Sequence, residues 1–176
     1  MHLECLPDST RAALERVQAV PAISKYILIG GTALALQVGH RISEDLDFVT
    51  LSGQLDRDEI KSIIDDVSGG AVPKLVTPMA AREDMENAGL DIDDSHQDWL
   101  VDGVKITFFA TDKVAQRAVY EQTKTHRLGN VQILDEAGIF RLKSMVIMDR
   151  RTSRDLFDLR FFIDKRGRSV GDVLSA

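Results

Sequence analysis

The 176-residue sequence has a single cysteine, Cys5, so it can form neither an internal disulfide nor a cysteine-based zinc cluster. That usage suits a reducing compartment, with Cys5 itself expected as a small, partly buried apolar residue. Long apolar runs are also missing: none approaches the roughly 20 residues that a membrane-spanning helix needs. The opening MHLECLPDSTR carries neither a basic leader nor an apolar signal segment. These absences predict a soluble, cytoplasmic protein with no membrane partner. Positive charge is scarce, with 22 Lys and Arg against 28 Asp and Glu and a formal charge of −6. Broad, nonspecific binding to nucleic acid relies on a basic surface and is disfavoured, although a local basic site stays open. No internal repeat or low-complexity tract interrupts the chain. What it does have is apolar content, 44% of its residues, enough for one domain with a substantial core.

The order of elements reads as α/β. Residues 8–20 place Ala12, Leu14, Val17 and Val20 at helical spacing after an Asp-Ser start, and Pro21 ends that helix. Residues 26–29 form a short strand stopped by Gly30 and Gly31, and Thr32 opens the helical stretch TALALQV. A strand follows at 45–51, a helix at 56–67 and a strand near 74–78. Asp102-Gly103 between WLV and VKITFF is a strong hairpin signal. Residues 111–130 read as a loop with some helix. A strand at 131–134 and a helix at 137–148 come next, the latter with Ile139, Phe140, Leu142, Met145 and Val146 crowded at helical spacing. Thr152 and Asp155 form a possible capping box for a last helix to about 164, with Leu156, Leu159 and Phe162 among its buried positions. The best division is a mixed part at 1–110 and a mostly helical part at 111–176.

The segment GGTALALQVGHRISEDLDF, residues 30–48, carries the chemistry. Gly30 and Gly31 allow a sharp turn and a close backbone approach, at a point where a helix begins and its free N–H groups favour an anion. The Thr32 hydroxyl can add one hydrogen bond. Alone, the glycine pair reads as a tight turn and a helix cap, and it matches neither a dinucleotide fingerprint nor a P-loop. Asp45 and Asp47, two apart on a strand, face one side while Leu46 and Phe48 face the core. Paired carboxylates repel unless a cation offsets them, and Mg2+ is the natural partner when phosphates supply the remaining ligands. A solvated strand face neutralised by Arg41 is the other reading.

The Gly-Gly-Thr turn, Arg41-x-Ser43 and the Asp-Leu-Asp-Phe strand resemble, in this order, the signature of the AbiEii/AbiGii toxin family of nucleotidyltransferases. A second block at 135–163 is also similar, with Lys143 on a helix, then Arg150 or Arg151, then RDLFDLRFF. The resemblance implies a nucleotidyltransferase-like mixed sheet flanked by helices with a mostly helical C-terminal part. It implies an enzyme, of toxin type, that transfers a nucleotide from a nucleoside triphosphate to an RNA (tRNA included) or protein acceptor with Mg2+, beside a cognate antitoxin. By the same resemblance Gly30, Gly31 and Thr32 would hold phosphate, Asp45 and Asp47 would ligate the metal, and Lys143 would reach the triphosphate. Arg41 and Ser43 would touch phosphate or neutralise Asp45. Asp155 and Asp158, three apart, share a helix face; Asp155 suits a structural cap and Asp158 joins the candidate binding residues. His40 suits packing or surface better than base catalysis.

One position departs from the pattern. The superfamily adds a third carboxylate on a neighbouring strand, and the family's Val-Lys-x-Asp-Phe strand corresponds here to Val104, Lys105, Ile106, Thr107 and Phe108. Threonine cannot act as a general base at neutral pH and is a poor charged ligand. Three explanations follow: another acid such as Asp102, Asp91 or Asp93 takes the place, one metal suffices, or the chain is a degenerate nucleotide-binding or interaction module without turnover. For an RNA acceptor, Lys105, Lys113, Arg117, Lys124, Arg127, Arg150, Arg151 and Arg154 are the candidates for a local basic surface, with scattered solvent-facing charge as the alternative.

Overall fold

The computed structural model describes residues 1–111, 113–149 and 152–175. Among these, seven strands make one mixed sheet: β1 (Ile27–Ile29), β2 (Leu46–Thr50), β3 (Lys74–Leu75), β4 (His96–Val101), β5 (Val104–Ala110), β6 (Thr125–Leu128) and β7 (Val131–Leu134). Their spatial order is β3-β4-β5-β2-β1-β7-β6. Eight helices flank the sheet: α1 (Asp8–Val17), α2 (Gly30–Val38), α3 (Arg57–Ser68), α4 (Met79–Asn87), α5 (Val114–Gln122), α6 (Glu136–Asp149), α7 (Ser153–Arg166) and α8 (Val170–Leu174). This is the mixed sheet flanked by helices that the resemblance implied.

Alternation along β2 explains how one short strand serves both core and site. Leu46 and Phe48 are fully buried on one face, which leaves Asp47 on the other. Phe48 stacks on Phe108 of β5 at 5.6 Å, and Tyr26 meets Phe108 edge-on at 5.2 Å. Burial of each such ring is worth about 1.5–3 kcal/mol. β2 runs antiparallel to β1 and parallel to β5, so the end of β1 lies beside the start of β2: Ile29 pairs with Asp47. The glycine turn after Ile29 is thereby delivered to the acidic strand.

Local differences from the sequence reading have simple causes. Helix α1 begins at Asp8 with Pro7 as its N-cap and no capping side chain, so Asp8 sits inside the first turn instead of capping it. It stops at Val17. Helix α2 starts at Gly30, two residues before Thr32, because Gly30 adopts φ +75° and lets the chain enter the helix directly from β1. Residues in the 111–130 stretch form α5 and β6, and β3 is only two residues long. The buried positions of α7 are Asp155, Asp158, Leu159 and Phe162. Leu156 lies one residue off that stripe and is 51% exposed, contrary to expectation. The Asp102-Gly103 hairpin forms as read, with positive φ at both residues, as a two-residue turn of this type requires. Beyond residue 110, β6 and β7 join the same sheet through the parallel pairing of β7 with β1, so both expected parts share one sheet. Among the described residues no helix is long and apolar enough to cross a membrane.

Candidate active site

The site forms where three features meet: the N-terminus of α2, the start of β2, and a set of cations held by α7. Helix α2 has Ile29 as its N-cap with no capping side chain, so the N-cap residue does not answer the first-turn amides of Gly30, Gly31 and Thr32. The glycines are needed there. A Cβ on Gly30 would lie 2.7 Å from Asp47 Oδ2, and one on Gly31 would overlap the Arg41 guanidinium and come within 3.1 Å of Ser43 Oγ. Phosphate-favouring amides, Asp47 and Arg41 thus converge on one glycine turn. Asp45 lies in the loop just before β2 and Asp47 is its second residue.

Burial raises the Asp47 carboxyl above the usual aspartate range, and the negative charges of Asp45 and Asp98 add to that; Lys105 partly offsets it. Such a pair gains from a divalent cation. Hard carboxylate oxygens beside an anion-favouring helix end fit Mg2+ with phosphate oxygens completing the shell. Among the described residues no group of three or more His, Cys, Asp or Glu side chains is arranged to hold an ion unaided.

Behind the turn lies an ionic network that joins α2 to α6 and α7. Asp158 is fully buried and accepts from Arg41 Nε at 2.6 Å and Arg41 Nη2 at 2.9 Å, a bidentate pair. His40 Nε2 lies 2.7 Å from Asp158 Oδ1, and Lys143 Nζ lies 2.8 Å from Asp158 Oδ2 and 2.8 Å from Asp155 Oδ1. Burial alone would raise the Asp158 carboxyl, but hydrogen bonds from His40 and Arg41 and the Lys143 ammonium outweigh it and hold it far below the usual range. Asp155 also accepts the Thr152 hydroxyl at 2.6 Å while its own amide donates to Thr152 Oγ1.

Several sequence-named residues therefore stand in different positions from those first assigned. Thr32 is 1% exposed, and its hydroxyl turns inward to Ser43 Oγ at 2.8 Å and to the Asp45 carbonyl, so it braces the 43–45 loop. Asp158 carries its negative charge behind the site, where it aligns Arg41. Lys143 is 7% exposed and balanced by two carboxylates, so it stands behind Arg41 as well. His40 packs its ring 5.0 Å from Phe161. Arg150 and Arg151 lie outside the described residues. The other named cations lie on β5, α5, β6 and the head of α7, with Lys113 just before α5 and Lys124 just before β6; Arg117 pairs with Glu121 and Arg154 is 3.5 Å from Asp45.

The proposed substitutes for the missing acid are occupied elsewhere. Asp102 pairs with Arg16 at 2.8 Å, Asp91 with Arg57 at 2.8 Å, and Asp93 with Arg82 at 2.8 Å. None is on the Asp47 row of the sheet. The residue that is on that row was not singled out from sequence: Asp47 pairs with Thr107 of β5, and Thr107 pairs with Asp98 of β4. Thr107 Oγ1 donates to Asp98 Oδ1 at 2.7 Å.

The sequence profile described as "Nucleotidyl transferase AbiEii toxin, Type IV TA system" matches residues 12–173. The chain belongs to this family. An uncharacterized protein of Aquifex aeolicus, aq_aa25, is 29% identical over 169 residues, which are 96% of this chain and 72% of that relative. Among solved structures, a proposed nucleotidyltransferase from Helicobacter pylori is similar at TM-score 0.61 and 18% identity, over 96% of this chain and 75% of its own. The Megavirus polyadenylate synthase is similar at TM-score 0.57 and 10% identity over 92% of this chain, which spans 32% of that enzyme. At these identities the two structures show the fold alone, a nucleotidyltransferase fold.

In this AbiEii-family chain the glycine turn offers a direct test. Gly31→Ala forces the Arg41 guanidinium away from a position held by two bonds to Asp158. Overpacking of this kind costs about 1–3 kcal/mol. We expect a melting temperature lower by several degrees and triphosphate binding weakened at least tenfold in a fluorescent-nucleotide titration; unchanged binding would separate the turn from the ligand.

Proposed function

We propose that the chain transfers a nucleotide from a Mg2+-bound nucleoside triphosphate to an acceptor hydroxyl on RNA, tRNA included, or on protein, as a cytoplasmic toxin. The observation that carries this reading is the approach of the uncapped α2 N-terminus to Asp47, across two glycines that no larger residue could replace without a clash. The α2 amides and Arg41 bind the β and γ phosphates, whose charge they match. Asp45 and Asp47 would hold Mg2+ against those phosphates, where it would supply charge neutralisation for the leaving pyrophosphate. The turn, Arg41 and the two carboxylates would keep the α-phosphorus in line for the acceptor oxygen. Asp158 and Lys143 keep Arg41 in place, and Thr32 keeps the 43–45 loop against the helix. The family's description as a type IV toxin–antitoxin system supports a cognate antitoxin as the restraining partner.

The test is to incubate the protein with each α-labelled nucleoside triphosphate, Mg2+ and either total RNA or total protein, with and without chelator. Label should pass to one acceptor class and vanish with EDTA. The rival reading is a nucleotide-binding module without turnover, and Thr107 in place of the family's acid favours it. Binding of triphosphate without transfer of label to either acceptor class would establish the rival and end the enzyme reading.

A further inference from the structure

The threonine that interrupts the family pattern does not stand alone. In the sheet, Asp47, Thr107 and Asp98 occupy one row across β2, β5 and β4, so their side chains leave the same face. Thr107 is 1% exposed and Asp98 7% exposed, and the Thr107 hydroxyl proton is committed to Asp98 Oδ1 at 2.7 Å. His96 Nε2 lies 3.2 Å from the same oxygen, and the Asp98 backbone amide donates to Thr77 Oγ1 at 3.1 Å, which fixes the main chain at that residue.

We propose that Asp98, acting through the Thr107 hydroxyl, supplies the third acidic function of the site. This rests on the nucleotidyl-transfer reading above. A threonine hydroxyl has one proton and two lone pairs. With the proton donated to Asp98, the oxygen offers only lone pairs to the side where Asp47 stands, and the carboxylate behind it increases their negative character. The acid that the family strand carries at this position is thereby replaced by a neutral oxygen at the site and a charge one strand farther out, about 4.8 Å away. Asp98 is a positioning residue: it touches Thr107, not substrate. Burial would raise the Asp98 carboxyl, but the nearby His96 ring and the hydrogen bond from Thr107 outweigh it and keep it below the usual range.

The experiment measures Mn2+ binding by EPR, in the presence of a non-hydrolysable triphosphate, for the wild type, Asp47→Ala, Asp98→Asn, Thr107→Val and the double variant Thr107→Asp with Asp98→Asn. Melting temperatures are recorded beside each. Removal of a group that orients a metal ligand typically weakens binding 10–100-fold. Asp98→Asn and Thr107→Val should therefore each weaken Mn2+ by about tenfold or more. The double variant, which returns the charge to the β5 position, should recover affinity to within about threefold, a recovery that a structural hydrogen bond would not produce. Unchanged Mn2+ affinity in both single variants, with or without a fall in melting temperature, overturns the assignment of Asp98. If Asp47→Ala loses Mn2+ while Asp98→Asn keeps it, only this inference fails. If the wild type binds no more Mn2+ than Asp47→Ala, the metal-nucleotide reading fails and this inference falls with it.

Discussion

Replacing Asp47 with asparagine is expected to lower nucleotide transfer by about 10³-fold, the effect of losing roughly 4 kcal/mol of metal-held charge stabilisation, while raising the melting temperature of the metal-free protein by a few degrees. The two effects share one cause. Asp47 is raised above the usual aspartate range by burial and by Asp45, so the folded chain holds its proton more tightly than the unfolded chain does. As pH rises from the unfolded-state value of about 3.9, the folded protein therefore loses stability until Asp47 ionises. Once Asp47 ionises, its charge is carried at a cost to folding, which asparagine removes and a bound divalent ion offsets. Melts at pH 5 and pH 8, with and without Mg2+ and triphosphate, should show a wild type that loses stability with pH and regains it with ligand. The variant should show neither change. A variant that melts below the wild type under all four conditions would place Asp47 among the structural carboxylates instead.

The second large effect is at Asp158. Substitution by asparagine leaves His40, Arg41 and Lys143 around a neutral amide inside the protein, with Asp155 beside Lys143 and Asp45 near Arg41 as remaining acids among the described residues. Breaking a buried charge network from one side costs about 3–5 kcal/mol. A domain of this size loses roughly 2–4 °C per kcal/mol, so a fall of about 10 °C is expected in a thermal melt. The pH sign follows from the lowered Asp158 carboxyl. Its contribution is complete above the unfolded aspartate value of about 3.9 and is lost as pH falls below it. Acid unfolding should accordingly begin at higher pH in other variants that loosen the network, such as Arg41→Ala, and the stability gap between wild type and Asp158→Asn should narrow in acid. A gap that stayed constant from pH 7 to pH 3 would assign the loss to packing. Nucleotide affinity should fall with Asp158→Asn as well, because Arg41 loses its bidentate anchor.

Much of this site was legible in the residues, including one relation that was overlooked. The hairpin at Asp102-Gly103 was recognised from its dipeptide, and a two-residue turn sets the register of both strands: Val101 opposite Val104, and by continuation Asp98 opposite Thr107. The alternative acids, Asp91, Asp93 and Asp102, each pair with an arginine of a different element. The resemblance assigns Lys143 to the triphosphate and Asp158 to the candidate binding residues, and helical spacing shows which residues share a face. It does not show what that face meets.

Local geometry explains what the sequence could determine by itself. Period-two alternation placed Asp47 opposite the core residues Leu46 and Phe48, and the paired glycines marked the turn at which backbone and ligand can approach. Both depend on neighbours a few residues away. The tertiary structure decided the rest: the Thr32 hydroxyl turned inward to the 43–45 loop, Thr107 committed its proton to Asp98, and Asp158 met His40, 118 residues distant. A buried polar group must find a partner when water is removed. Which partner it finds is decided only when strands and helices far apart in the chain are brought together.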